Sequence, residues 1–118
     1  MIKEIAFSSV PVTDVKRARD FYEGVMGLRP TMEAPGGTWI EYDIGTATFG
    51  IGAFPGWTPS DQGALITFEV DDVAAEIARL KSKGVKVHMD TMETPICHFA
   101  IIGDPDGNKL GIHKRKKS

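Results

Sequence analysis

Cysteine is nearly absent from this chain. Cys97 stands alone among 118 residues, so no disulfide can close within the chain, and such thiol-poor sequences belong to reducing compartments. Long hydrophobic runs are missing as well. No stretch approaches the ~18 consecutive apolar residues that a membrane span requires. The opening Met1-Ile2-Lys3-Glu4-Ile5 lacks a basic segment followed by an apolar run, which argues against a secretory signal. Strong net charge is also lacking: 14 basic against 16 acidic residues give −2, so neither nucleic acid nor a membrane surface is an expected partner. No glycine-rich run joins a strand to a helix with a lysine behind it, which excludes a phosphate-binding loop. The expected location is the cytoplasm.

One run departs from the even charge balance. Lys114-Arg115-Lys116-Lys117 closes the chain, and without it 10 basic residues face 16 acidic ones. Such a run can tether a protein to nucleic acid or acidic lipid, but a short cationic end more often serves as a solvated tail. We expect the tail, over residues 114–118.

What is present suits one ordinary domain with a core of its own. Residues 2–10 read as a strand through Ile2, Ile5, Phe7 and Val10, closed by Pro11. Thr13 or Asp14 can cap a helix in which Val15, Ala18, Phe21, Tyr22 and Val25 recur at helical spacing, with Gly27 just past its end. Strands follow over 28–33, 38–44 and 46–53, the last two forming a hairpin that turns at Gly45. Residues 54–62 form a breaker-rich linker carrying Phe54 and Trp57. Then come a strand over 64–70, a helix capped by Asp71 or Asp72 with Val73, Ile77 and Leu80 inward and Gly84 at its end, and strands over 85–89, 96–103 and 108–113. The last two are joined at Asp104-Pro105-Asp106-Gly107, where Pro105 presets φ and Gly107 takes the positive φ of a tight hairpin.

The order repeats. Val12-Thr13-Asp14-Val15 matches Val70-Asp71-Asp72-Val73 at an offset of 58 residues, and Gly27 matches Gly84 at 57. Each half, about 1–53 and 63–113, reads as strand, capped helix, then three strands. The predicted fold class is therefore α+β, with paired β-α-β-β-β modules whose sheets curl about a shared cavity. Period-two alternation places Ala64, Ile66, Phe68, Val70, Phe49, Ile51, Leu110 and Ile112 toward the helices. Phe7, Ser9, Thr48, Gly50, Gly52, Leu65, Thr67, Glu69, Gly111 and His113 take the opposite parity.

This pairing resembles the vicinal oxygen chelate superfamily of glyoxalases, bleomycin resistance proteins and extradiol dioxygenases. The residues that carry the resemblance are Val12 to Tyr22 running into Met26-Gly27-Leu28, and Asp104-Pro105-Asp106-Gly107-Asn108. In metal-dependent members, four positions supply His, Glu or Gln to a divalent ion that holds two vicinal oxygens of the substrate. The resemblance carries those positions onto Phe7, Gly50, Leu65 and Gly111, none of which can ligate. It implies a homodimer, and here it implies no metal and no cofactor.

The expected function is metal-independent binding of a small, planar or partly apolar molecule, in the manner of bleomycin-resistance-type sequestration. Phe7, Leu65, Phe99 and Ile101 would form the walls, Gly50 and Gly111 would leave room, and Phe54 and Trp57 would close over the mouth. Ser9, Thr48, Thr67, Glu69 and His113 would supply the few polar contacts typical of such a site. A superfamily lyase, isomerase or dioxygenase with a displaced metal is the alternative, drawing on His88, His98, His113, Cys97 and Glu69, of which only Glu69 and His113 share the cavity parity. A regulatory or structural subunit with a vestigial cavity is a third reading. Cys97 beside His98 suggests a nucleophile pair only on paper, because neighbouring strand residues point to opposite faces. A small buried cysteine is the expectation, and His98 is expected buried on the helix side.

Overall fold

The computed structural model describes residues 1–116, and their contacts divide the chain into two compact units, Met1–Pro59 and a second beginning at Ser60. The first holds β1 (Ser8–Pro11), α1 (Val15–Arg19), β2 (Pro30–Glu33), β3 (Trp39–Ile44) and β4 (Ala47–Gly52). Its sheet runs β1-β4-β3-β2. The second holds β5 (Ile66–Glu69), α2 (Val73–Ser82), β6 (Val87–Glu93), β7 (Cys97–Gly103) and β8 (Lys109–Arg115), in the order β5-β8-β7-β6. In each unit the first strand lies parallel to the last, and the other pairings are antiparallel. Each unit is thus a β-α-β-β-β module and the fold is α+β. No helix among the described residues is long and apolar enough to cross a membrane.

Aspartates open both helices. Asp14 Oδ1 accepts the Arg17 N–H at 3.1 Å and Asp72 Oδ1 accepts the Ala75 N–H at 3.0 Å, so the caps are Asp14 and Asp72 rather than Thr13 and Asp71. Gly27 and Gly84 close them at φ +80° and +79°, where a side chain would be strained. The first helix departs from expectation after Arg19. Asp20–Val25 is π-helical, and the Met26 N–H reaches back five residues to the Phe21 carbonyl at 2.8 Å. Single π turns of this kind widen a helix locally. This one accompanies the burial of both Phe21 and Tyr22 and brings Glu23 to Tyr42. Tyr42 is fully buried, so its hydroxyl needs an acceptor. It donates to Glu23 Oε2 at 2.8 Å, and Arg19 Nε donates to the same oxygen at 2.6 Å. Burial, then the bonded carboxylate, push the Tyr42 phenol up from its ordinary range.

The buried faces follow the alternation. Val10, Ile40, Tyr42, Phe49 and Ile51 are buried with Ala18, Phe21 and Tyr22 in the first unit. Ala100, Ile102, Leu110 and Ile112 are buried with Val73, Ile77 and Leu80 in the second. The β7–β8 turn forms as its residues dictate. Gly107 sits at φ +88°, its N–H reaches the Asp104 carbonyl at 3.1 Å, and the buried Asp104 carboxylate accepts the Asp106 and Asn108 N–H groups and the Asn108 side chain.

Several expected boundaries move, among them that of β6, which spans Val87–Glu93 rather than 85–89. Residues 2–7 stay outside β1, with Ile2 and Ile5 almost wholly exposed, because only Ser8–Pro11 finds a partner strand. Ala64 and Leu65 precede β5 and are exposed, so the expected inward place of Ala64 is not taken. The supposed tail is largely structured. β8 runs through Lys114 and Arg115, and Lys116 donates its N–H to the Ile96 carbonyl and its Nζ to Glu93. The remainder of that run lies outside the described residues.

Removing methylenes from the buried face should be felt. Ile112→Ala is expected to cost about 2–5 kcal/mol in urea unfolding. Lys83→Ala, at an exposed position, should stay within about 0.5 kcal/mol of the parent.

Candidate functional site

With one face of each sheet under its helix, the other face carries the candidate residues. In the first unit that face is built on β4, where Thr48, Gly50 and Gly52 lie opposite Asp43, Glu41 and Trp39 of β3, and Ser9 of β1 flanks Gly50. Glycine in a strand interior marks a place where something else comes close to the backbone. Here it is aromatic rings. A Cβ on Gly50 would meet Trp39 Cη2 at 2.5 Å, and one on Gly52 would meet Phe54 Cε2 and Trp39 Cε3 at 2.8 Å and Trp57 Cζ3 at 3.0 Å. Trp39 lies across the glycines and its Nε1 donates to Glu41 Oε2 at 2.8 Å. The result is a row of four rings. Phe7 meets Trp39 edge-on with centroids 5.3 Å apart, Trp39 and Phe54 are 6.4 Å apart, and Phe54 stacks with Trp57 at 6.4 Å and 24°. Phe54 and Trp57 are presented by a tight turn in which the Trp57 N–H bonds the Phe54 carbonyl at 3.2 Å and Gly56 takes φ +82°. Beside them is a hollow of about 320 Å³ lined by Val12, Thr13, Ala53, Phe54 and Trp57 through Pro59.

Trp39 is the residue that reading the sequence missed. Its signal was available: a hairpin turning at Gly45 pairs position 39 with 52, and so sets a tryptophan opposite a glycine. Thr48 does not wait for a ligand, since its hydroxyl donates to Asp43 Oδ1 at 2.9 Å.

In the second unit the corresponding face pairs Thr67 with Gly111, Glu69 with His113, Phe99 with His113 and Ile101 with Gly111. His113 Nδ1 is 2.5 Å from Glu69 Oε1, and the Arg115 N–H donates to Glu69 Oε2 at 2.7 Å. The Arg115 amide first, and His113 next, hold the Glu69 carboxyl below the usual carboxylate range. Phe99 sets its edge to the His113 ring at 6.3 Å.

Several expected roles need correction. Gly50 and Gly111 do not leave open room: Trp39 covers the first, and Thr67 Oγ1 and Phe99 Cε1 would stand 2.6 and 2.9 Å from a Cβ on the second. Phe7 and Leu65 each sit one residue ahead of their strand, 49% and 41% exposed, so they are surface groups rather than a buried floor. His98 is not enclosed on the helix side. That face is buried at Ala100 and Ile102 but opens to solvent at the start of β7, where the His98 side chain is 41% exposed and 3.8 Å from Glu93. Cys97 is buried as expected, its Sγ 3.2 Å from the Thr94 hydroxyl. Among the described residues no three His, Cys, Asp or Glu side chains converge as a metal cluster.

The family model for the Glyoxalase/Bleomycin resistance protein/Dioxygenase superfamily matches residues 2–112. Among solved structures, TnmS3, an antibiotic binding protein from Streptomyces sp. CB03234, is 31% identical, with 98% of each chain covered and a TM-score of 0.79. A glyoxalase/bleomycin resistance protein from the same organism is 33% identical over 94% of this chain and 100% of that one, at a TM-score of 0.75. A lactoylglutathione lyase from Agrobacterium tumefaciens, at 18% identity, 97% and 95% coverage and a TM-score of 0.76, shares the fold. No curated protein matches.

The Trp39–glycine contact makes a sharp prediction. Gly50→Ala should destabilise the protein by about 1–3 kcal/mol through overpacking. In combination with Trp39→Ala that penalty should largely vanish, giving a coupling above about 0.5 kcal/mol in a double-mutant cycle. Additive effects would mean that the indole does not rest on Gly50.

Proposed function

Because the chain belongs to the Glyoxalase/Bleomycin resistance protein/Dioxygenase superfamily, we propose that it binds and sequesters a small, planar, partly apolar molecule without using a metal. The observation that carries this reading is the row of Phe7, Trp39, Phe54 and Trp57 over the glycines of β4. Aromatic rings set side by side on an exposed sheet face offer a stacking platform, and each ring pair with a flat ligand adds about 0.5–1.5 kcal/mol beyond area burial. Ser9, Thr48 and Gly50 share that face. In the second unit, considered by itself, the same reading assigns Leu65, Thr67, Glu69, Phe99, Ile101, Gly111 and His113 to binding. Likeness to an antibiotic binding protein at 31% identity supports the same direction.

The reading treats residues 1–53 and 63–113 as two copies of one module joined by 54–62. It places the protein in the cytoplasm, where Cys97 stays reduced. It also takes the working form as a homodimer, for which the exposed Ile2, Ile5 and Phe7 supply apolar surface. Light scattering should return twice the 12.9 kDa chain mass, and a monomer mass would refute the dimer.

Metal independence rests on the residues that the resemblance puts at the family's ligand positions, Phe7, Gly50, Leu65 and Gly111, and on the donors among the described residues, no three of which converge. Elemental analysis of untagged protein should find no stoichiometric metal, and one bound ion per chain would overturn that part. Thermal-shift screening against flat metabolites and antibiotics is expected to yield ligands, since one present at 100 times its Kd adds about 2.7 kcal/mol. For any such ligand, Trp57→Ala should weaken binding about tenfold or more, a loss of about 1.4 kcal/mol, while unfolding and mass change little. Unchanged affinity, or loss of the dimer, would remove Trp57 from the site.

A further inference from the structure

The Glu69–His113 pair has a geometry that a mere polar contact does not require. An ionised carboxylate can only accept, so Nδ1 of His113 carries the proton in the 2.5 Å bond to Glu69 Oε1. In the neutral imidazole that fixes the tautomer and makes Nε2 the acceptor, and Nε2 has no hydrogen-bond partner among the described residues. Glu69 is itself held in place by the Arg115 N–H at 2.7 Å. The imidazole therefore has a fixed orientation, a permanent anion behind it and a lone pair in front, the arrangement by which a carboxylate stabilises an imidazolium.

We propose that this pair accepts the proton of an acidic aromatic hydroxyl, so that the ligand is a phenol bound as its phenolate. In the step the ligand's O–H bond breaks, a new N–H bond forms at His113 Nε2, and the electron pair remains on oxygen. The imidazolium then lies between two anions, the phenolate and Glu69.

The surroundings suit that charge pattern. From β5 the groups on this face are Thr67 and Glu69, from β7 they are Phe99 and Ile101, with Cys97 buried against Thr94, and from β6 the His88 ring lies over Gly103 at the far end of β7. On β8 itself Lys109 and Arg115 share the parity of His113, and both are cationic. Lys114 and His98 belong to the other face. Phe99, edge-on to the imidazole, offers an apolar flank to the ligand's ring. Thr67 Oγ1, beside Gly111, can donate to a second ligand oxygen.

The inference rests on the proposed binding of planar molecules, and the test separates the two. The probes are umbelliferone and alizarin, whose spectra change on losing the phenolic proton, and their methyl ethers, which have none to lose. Held below each phenol's own pKa, the native protein should bind the phenols with the phenolate spectrum, and at least about tenfold more tightly than the ethers. His113→Gln should abolish the phenolate spectrum. Glu69→Gln keeps an acceptor for Nδ1 but removes the anion, so it should raise the pH at which the bound phenol ionises. If phenols and ethers bind equally and the phenols stay neutral, the proposal fails and the binding reading survives. If none of the four compounds binds, both fail. Should His113→Gln not fold, Glu69→Gln decides: loss of stability with an unchanged bound spectrum would make the pair only a clamp between β5 and β8, and would overturn the proposal.

Discussion

Each four-stranded sheet in this protein has a single helix to cover it, and a single helix can cover only one face. Side chains alternate along β4 and β8 with period two, so Phe49, Ile51, Leu110 and Ile112 are buried while Thr48, Gly50, Gly111 and His113 are turned the other way. Everything else follows from that division. A slip of one residue in either strand would bury the open face and expose the core, so which face stays open is fixed by the same contacts that stabilise the fold.

The glycines on the open face acquire their meaning from what lies on them. A glycine in a strand weakens it by leaving nothing to pack, and a large ring placed across it restores that packing. Trp39 does so for Gly50 and Gly52, and Thr67 with Phe99 does so for Gly111. Gly50 and Gly111 are therefore overlaid by the protein's own side chains.

The elements built from local rules were the legible ones. Asp14 and Asp72 as caps, Gly27 and Gly84 as helix ends, the Gly45 and Gly107 turns and the inward Val73, Ile77 and Leu80 all depend on residues close together in the chain. What escaped depends on partners far apart. The π turn at Asp20–Val25 accompanies a bond between Glu23 and Tyr42, 19 residues apart. The start of β1 depends on where it first pairs with β4, at Ser8 opposite Phe49. Alternation correctly put Gly50 and Gly111 on the open face, yet it says nothing about a neighbour's ring folding over the gap, which is why room was expected where packing is found. Only the cross-strand register reveals Trp39.

The same contrast explains why the two units differ on their open faces although their topology agrees. The first presents rings, with polar groups already paired: Thr48 to Asp43, Trp39 to Glu41. The second presents a charged carboxylate with both oxygens engaged and an imidazole with one nitrogen left over. Stacking on the first, against Trp57 and Phe54, would select chiefly for a flat ring. On the second, the proposed acceptor, Nε2 of His113, would discriminate among flat molecules by the acidity of what approaches it.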